Sequence, residues 1–180
     1  MSDPNPDVLL KTGRFNVVRV TRNLPNGGTK TREIVRHPGA VVILPMVDDK
    51  HVCLIRNFRV SVNETLIELP AGTLEPPEPP LATATRELIE ETGYRATRLD
   101  FLHAFYLSPG VLDEKMHLFV ATGLTQGDAA REVGEEIENL VVPYEKAIAM
   151  IFDGTIKDAK SIASLLYYDR IRELRSNSPT

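Results

Sequence analysis

The chain has 180 residues, 42% of them hydrophobic and 26% charged, ordinary values for one folded domain with a full core. Its net charge of −4 excludes a broad electrostatic footprint for nucleic acid. An acidic chain that binds a polyanion needs local cations, and divalent metal ions are one supply. The single cysteine, Cys53, lies in the apolar run Val52-Cys53-Leu54-Ile55 and reads as a reduced core thiol. The first residues, Met1-Ser2-Asp3-Pro4-Asn5-Pro6, lack the basic-then-apolar pattern of a leader, and no apolar stretch reaches membrane-spanning length. The expected address is the cytoplasm, with no membrane or nucleic-acid partner.

Taken in chain order, residues 15–22 alternate apolar and polar, Asn26-Gly27-Gly28 supplies turn residues, and 29–35 returns. This predicts a β-hairpin. A lone hairpin is marginal in water, so it must pack on the main domain or on a second copy of the chain. The expected division is an N-terminal hairpin segment, 1–38, tied to dimerisation, and a main domain, 39–180. After Pro38-Gly39, strands are expected at 40–44 and 51–56 around a turn at Asp48-Asp49, with a short strand at 65–69. Residues 71–80 hold Gly72, Pro76, Pro77, Pro79 and Pro80 and read as a loop, the double proline marking where a helix can begin. The pattern over 81–92 has helical period, with Leu81, Ala84, Thr85, Leu88 and Ile89 as the expected buried stripe and Gly93 as terminator. Strands near 99–107, 116–122 and 137–142 and helices at 144–152 and 159–175 complete the chain. Strands mixed with late helices indicate an α/β or α+β sandwich.

The opposite face of the 81–92 helix carries the chemistry. At about 100° per residue, Glu87 and Glu91 lie one above the other with Glu90 beside them. Like charges four residues apart destabilise a helix by a few tenths of a kcal/mol, so three clustered carboxylates call for a compensating cation. Oxygen-only donors favour a hard ion, Mg²⁺ first and Mn²⁺ second. The spacing is more telling than the face. Gly72, Glu78, Arg86-Glu87-Leu88, Glu90-Glu91 and Gly93 form a string that should arise by chance on the order of once in a billion starting points.

At these residues the chain resembles the Nudix hydrolase family, whose signature has this spacing. Tyr94 departs mildly, at a position the family fills with an aliphatic residue. The resemblance implies an α/β/α sandwich with a mixed sheet, and hydrolysis of a nucleoside diphosphate linked to another moiety by metal-activated water. Carried over residue by residue, it implies that Glu87, Glu91 and the Ala71 carbonyl ligate metal and that Glu90 is a further or water-linked ligand. Arg86 would hold the carboxylates in place, and Glu78 would brace the loop.

The likeness continues outside that string. Arg56-Asn57-Phe58-Arg59, Glu68-Leu69-Pro70-Ala71-Gly72, Ser108-Pro109-Gly110, 113–119 and Asp158-Ala159-Lys160-Ser161 resemble the ADP-ribose pyrophosphatase branch, over roughly 14–174. It implies substrate contacts from Arg56, Arg59, Glu68, Pro109 and Gly110. The alternatives are solvated strand-end charges for Arg56 and Arg59, and for Glu68 a place in the metal shell or a structural arginine partner. Phe15 or its hairpin either stacks on adenine across a dimer or simply packs. The family also draws a base or further ligand from a loop; here 131–136 fits, with Glu135 or Glu136 as candidates. The expected reaction converts ADP-ribose to AMP and ribose 5-phosphate with Mg²⁺ in a homodimer. Hydrolysis of GDP-mannose or UDP-glucose is the alternative. A non-catalytic sensing module, the remote reading, would predict an eroded signature or an attached DNA-binding domain. His37, His51, His103 and His117 show no ligand spacing.

Overall fold

The computed structural model describes residues 6–130 and 136–176, with the side chain of Ser176 excepted. A short edge strand β1 (Asp7–Lys11), β2 (Asn16–Asn23) and β3 (Thr29–Arg36) form an antiparallel three-stranded sheet, order β1-β2-β3. The expected hairpin is β2–β3, paired from Asn16↔Arg36 to Asn23↔Thr29. Strand β1 has no counterpart in the sequence reading. All five of its residues are exposed, so no alternation of burial exists to mark it.

The chain continues with β4 (Ala40–Pro45) and β5 (His51–Arg59), followed by β6 (Glu64–Glu68) and β7 (Ala71–Thr73). Helix α1 (Pro80–Thr92) leads to β8 (Tyr94–Tyr106), β9 (Lys115–Gln126), β10 (Ile137–Pro143), α2 (Tyr144–Phe152) and α3 (Ala159–Ser176). A four-stranded mixed sheet has the order β7-β4-β9-β8, and a three-stranded one the order β10-β5-β6. In the first, β4 runs parallel to β9 and antiparallel to β7.

Both faces of β4 are covered, and all six of its residues are buried. Val41 and Ile43 join Cys53, Ala84, Leu88 and Phe119 in a core under α1. Ala40, Val42 and Leu44 join Leu54, Leu118, Tyr144, Ala147 and Leu165 in a second core under α2 and α3. The result is the expected α/β/α sandwich, α1 on one side and α2 with α3 on the other. Among the described residues, no helix is long and apolar enough to cross a membrane.

Three expectations need correction. The buried stripe of α1 is Thr83, Ala84, Leu88, Glu91 and Thr92, whereas Leu81 is 51% exposed and Thr85 exposed. Leu81 and Thr85 lie on the side turned away from β4; the edge of the carboxylate face is buried in their place. Residues 71–80 are not all loop, because Ala71–Thr73 pairs with Ala40–Val42 of β4. Strands β8 and β9 run several residues longer than expected. Their outer ends pair Tyr94↔Gln126 and Ala96↔Leu124 as a half-exposed ribbon, too polar for an apolar-strand signal.

Helix α1 is delimited by two sequence features. Pro80 occupies its first position after an extended Pro79, where a missing N–H costs nothing. Gly93 closes it in the left-handed region (φ 78°), its amide donating to the Ile89 carbonyl at 2.8 Å. A Cβ there would stand 2.4 Å from the Gly127 carbonyl oxygen.

Candidate active site

Where the chain passes from β6 to β7 it crosses over β4, and the amide of Ile43 donates to the Pro70 carbonyl at 2.9 Å. That crossing sets Ala71 and Gly72 against the carboxylate face of α1. The Ala71 amide donates to Glu91 Oε2 at 2.9 Å. A Cβ on Gly72 would lie 1.9 Å from the carboxyl carbon of Glu87, so only glycine lets that carboxylate rest on the backbone. Glu91 is 4% exposed, which for a carboxylate demands compensating partners.

Arg86 organises the rest of the helix face. Its Nη1 donates to Glu87 Oε1 at 2.9 Å and to Glu90 Oε2 at 2.8 Å, and its Nη2 to Glu78 Oε2 at 3.3 Å. Glu78 also accepts from Thr83 Oγ1 at 2.8 Å. This hydroxyl holds the Glu78 carboxyl below the usual range; burial opposes it, and the Arg86 guanidinium adds to the lowering. Burial of Arg86 disfavours its charge, but Glu87, Glu90 and Glu78 outweigh that and raise its pKa.

Arg86, Glu87, Glu90, Glu91 and the Ala71–Gly72 backbone line one polar cleft of about 510 Å³ that also receives Asn57 and Arg59 from β5 and Arg14 from the β1–β2 turn. Asn57 and Arg59 are two residues apart on a strand and share a face. Arg56 takes the other face, 3.4 Å from Glu138 on β10, and does not line the cleft. Arg59 makes a side-on fork with Glu68, Nε to Oε1 at 2.7 Å and Nη2 to Oε2 at 2.6 Å. Glu68 is 1% exposed. Its burial would raise its pKa, yet Arg59 and Lys160 together lower it. Glu68 thus serves as partner to Arg59 from behind the cleft.

Pro109 lines a separate, smaller apolar hollow of about 240 Å³ with Ile34, Tyr106 and Val111, and Gly110 lies beside it. Neither reaches the cleft of its own chain. Phe15 is 38% exposed and is not among the cleft residues either. Glu135 lies outside the described residues. Glu136 is exposed and directly precedes Ile137, which pairs with Asn57 of the cleft. The segment before it also starts at the site, the Ala130 amide donating to the Glu90 carbonyl at 3.1 Å. Among the described residues no three carboxylate, histidine or cysteine groups form an assembled metal centre. Glu87 and Glu90 are instead drawn to Arg86.

The family model for the NUDIX domain matches residues 35–165, a span that contains the whole cleft except Arg14 and its neighbour Gly13. The chain belongs to the Nudix family. It is a Nudix hydrolase, and members of the family generally use a divalent metal ion. It is 42% identical to an ADP-ribose pyrophosphatase of Bacillus subtilis (strain 168) over 146 residues, 80% of this chain and 79% of the relative. A GDP-mannose pyrophosphatase of Cronobacter sakazakii (strain ATCC BAA-894) is 36% identical over 177 residues, 88% of this chain and 90% of the relative. A crystal structure of an ADP compounds hydrolase has the same fold, with a TM-score of 0.83 at 24% identity over 97% of this chain and 95% of that one.

Asn57, Arg14 and Lys160 belong to or behind this Nudix cleft and were not singled out as site residues in the sequence. Asn57 could have been found from strand alternation with Arg59. Arg14 sits in a turn built by Thr12, whose Oγ1 accepts from the Phe15 amide at 2.9 Å, and no pattern announces it.

Proposed function

We propose that this Nudix hydrolase cleaves the diphosphate linkage of ADP-ribose to AMP and ribose 5-phosphate, with Mg²⁺ as its metal and Mn²⁺ as a substitute. The observation that carries the reading is the convergence of Glu87, Glu90, Glu91, the Ala71–Gly72 backbone and Arg59 on one cleft. On the helix face three carboxylates stand against the single guanidinium of Arg86, an excess of negative charge that a diphosphate cannot approach unaided. The donors are all oxygen, and Gly72 leaves the Glu87 carboxylate room at the backbone, so the residues fit a hard divalent ion held by Glu87, Glu91 and the Ala71 carbonyl with Glu90 adjacent. Such an ion, when bound, neutralises diphosphate oxygens and acidifies a bound water.

The chain's own residues supply orientation. Arg86 fixes Glu87 and Glu90 in register. Arg59 has the planar fork suited to phosphate oxygens and is itself held by Glu68. Glu135 or Glu136 accepts the proton of the attacking water, a role supported by the two ends of their segment, at Glu90 and opposite Asn57. Contacts from Pro109 and Gly110 require a second copy of the chain, in keeping with a homodimer built through the N-terminal segment 1–38. Exposed Val8, Leu9 and Leu10 on the edge strand β1 give that segment a surface to cover. The cytoplasm is the compartment this chemistry suits.

A second reading, hydrolysis of a hexose nucleotide, is favoured by the 36% identity to a GDP-mannose pyrophosphatase over nearly the full chain. Comparing kcat/KM for ADP-ribose, GDP-mannose and UDP-glucose under Mg²⁺ decides between them. Preference for ADP-ribose supports the first reading; a strong preference for a hexose nucleotide replaces it with the second.

A further inference from the structure

Behind Arg59 lies a buried ionic chain that the cleft's chemistry does not use directly. Glu68 sits at its centre, gripped from one side by the Arg59 fork and from the other by Lys160 Nζ on Oε2. Lys160, itself only 8% exposed, also pairs with Asp158 at 3.0 Å. Asp158 Oδ2 accepts from the Ser161 amide at 2.9 Å and from Ser161 Oγ at 2.6 Å, and Ser161 Oγ accepts from the Leu69 amide at 2.7 Å. The chain closes on itself. It begins and ends on adjacent residues of the strand exit, Glu68 and Leu69, and passes through the first turn of α3.

A buried carboxylate with a single cationic partner would draw that partner inward. Here Glu68 has two, one of which never faces the cleft. The side-on fork commits Nε and Nη2 of Arg59 to Glu68, which leaves Nη1 and the second Nη2 hydrogen as donors on a guanidinium that is 36% exposed and lines the cleft. We propose that Lys160 is a positioning residue: by sharing Glu68 from behind, it sets the plane and reach of the Arg59 guanidinium that meets the substrate's diphosphate. This rests on the reading that Arg59 contacts the diphosphate; the positioning itself does not depend on which nucleotide is bound.

The test measures Arg59 and turnover separately. In wild type, the Arg59 Nε–H resonance, assigned by its loss in R59A, is expected to exchange slowly because Glu68 accepts it. In K160M, with the buried Glu68 left to Arg59 alone, the guanidinium should be drawn inward and that exchange should be at least about ten-fold slower, while the amide spectrum stays that of a folded chain and kcat/KM falls about ten-fold, chiefly through KM. In an R59A background the same K160M change should cost less than about two-fold, because its effect passes through Arg59. K160R should recover most of the loss. Unchanged or faster Nε–H exchange in K160M, or a K160M loss of the same size with and without Arg59, overturns the proposal. Should K160M not fold, K160Q, which keeps a donor without the charge, is measured in its place with the same expectations. A wild-type protein that hydrolyses no nucleotide sugar sinks the functional reading alone, and the exchange measurement still decides the role of Lys160.

Discussion

Glu87 shows how tightly one residue is specified. Its carboxylate accepts from Arg86 on its own helix and rests where a side chain on Gly72 would have to go. Glu87→Gln and Glu91→Gln keep the shape of the cleft and remove the charge proposed to hold a metal. Each is expected to lower kcat on the order of 10²–10³-fold, the equivalent of several kcal/mol of lost Lewis-acid stabilisation, with the circular-dichroism spectrum unchanged. Retained activity in both would refute their assignment as ligands. Gly72→Ala should act on the same group from the other side, displacing Glu87 and costing on the order of 10²-fold in kcat/KM. Full activity in G72A would show that Glu87 need not sit where it does. Cys53 behaves differently. Complete burial pushes its thiol up to about 12, so in the folded protein it should resist a thiolate-directed reagent at pH 8 and react only on unfolding. Rapid labelling of native protein would contradict its placement under α1.

At the scale of elements, α1 carries both a core face and a site face. Leu88, 1% exposed, packs with Val41, Ile43 and Ala84, and Leu88→Ala should cost about 2–5 kcal/mol in urea unfolding, by loss of transfer energy and an unfilled cavity. The tie between β6 and α3 makes a second prediction. Burial opposes ionisation of Glu68, but Arg59 and Lys160 overcome it and hold its carboxyl below the ordinary value. The stability this supplies is present above the unfolded carboxylate pKa of about 4.3 and is lost as pH falls through the lower folded value. The acid limb of a stability–pH curve should therefore be shallower in E68Q than in wild type; identical limbs would mean that Glu68 is not held ionised. Much of this layer was legible beforehand. Helix α2 was read with its observed bounds, and α1 was delimited by Pro80 and Gly93, because proline, glycine and a 3.6-residue period act locally. The buried edge of α1 was misread, since a glutamate and two threonines buried for the sake of the site look polar in sequence. Strand β1 left no trace because it buries nothing within the chain. The clustered carboxylates were legible from helical spacing and Arg59 from the wider resemblance, whereas the role of Lys160, although it lies in the Asp158–Ser161 stretch that shares that likeness, was not, because its partner is 92 residues away.

For the molecule as a whole, the sandwich explains why the chemistry sits at one edge. Strand β4, buried on both faces, is the fixed reference, and the β6–β7 crossing and α1 are both docked on it. The N-terminal sheet contributes Arg14 to the same cleft while its outer strand stays exposed. Light scattering should return twice the 20.0 kDa chain mass, and deletion of 1–11 should lower it toward one; a wild-type monomer would remove Pro109 and Gly110 from the proposed site. If the α1 face and the Ala71–Gly72 backbone form a metal-dependent diphosphate hydrolase, turnover of ADP-ribose must require the metal. Product analysis after incubation with ADP-ribose and Mg²⁺, with and without EDTA, reads this. AMP and ribose 5-phosphate should form with metal and not with EDTA; equal product in both would show that the chemistry needs no metal.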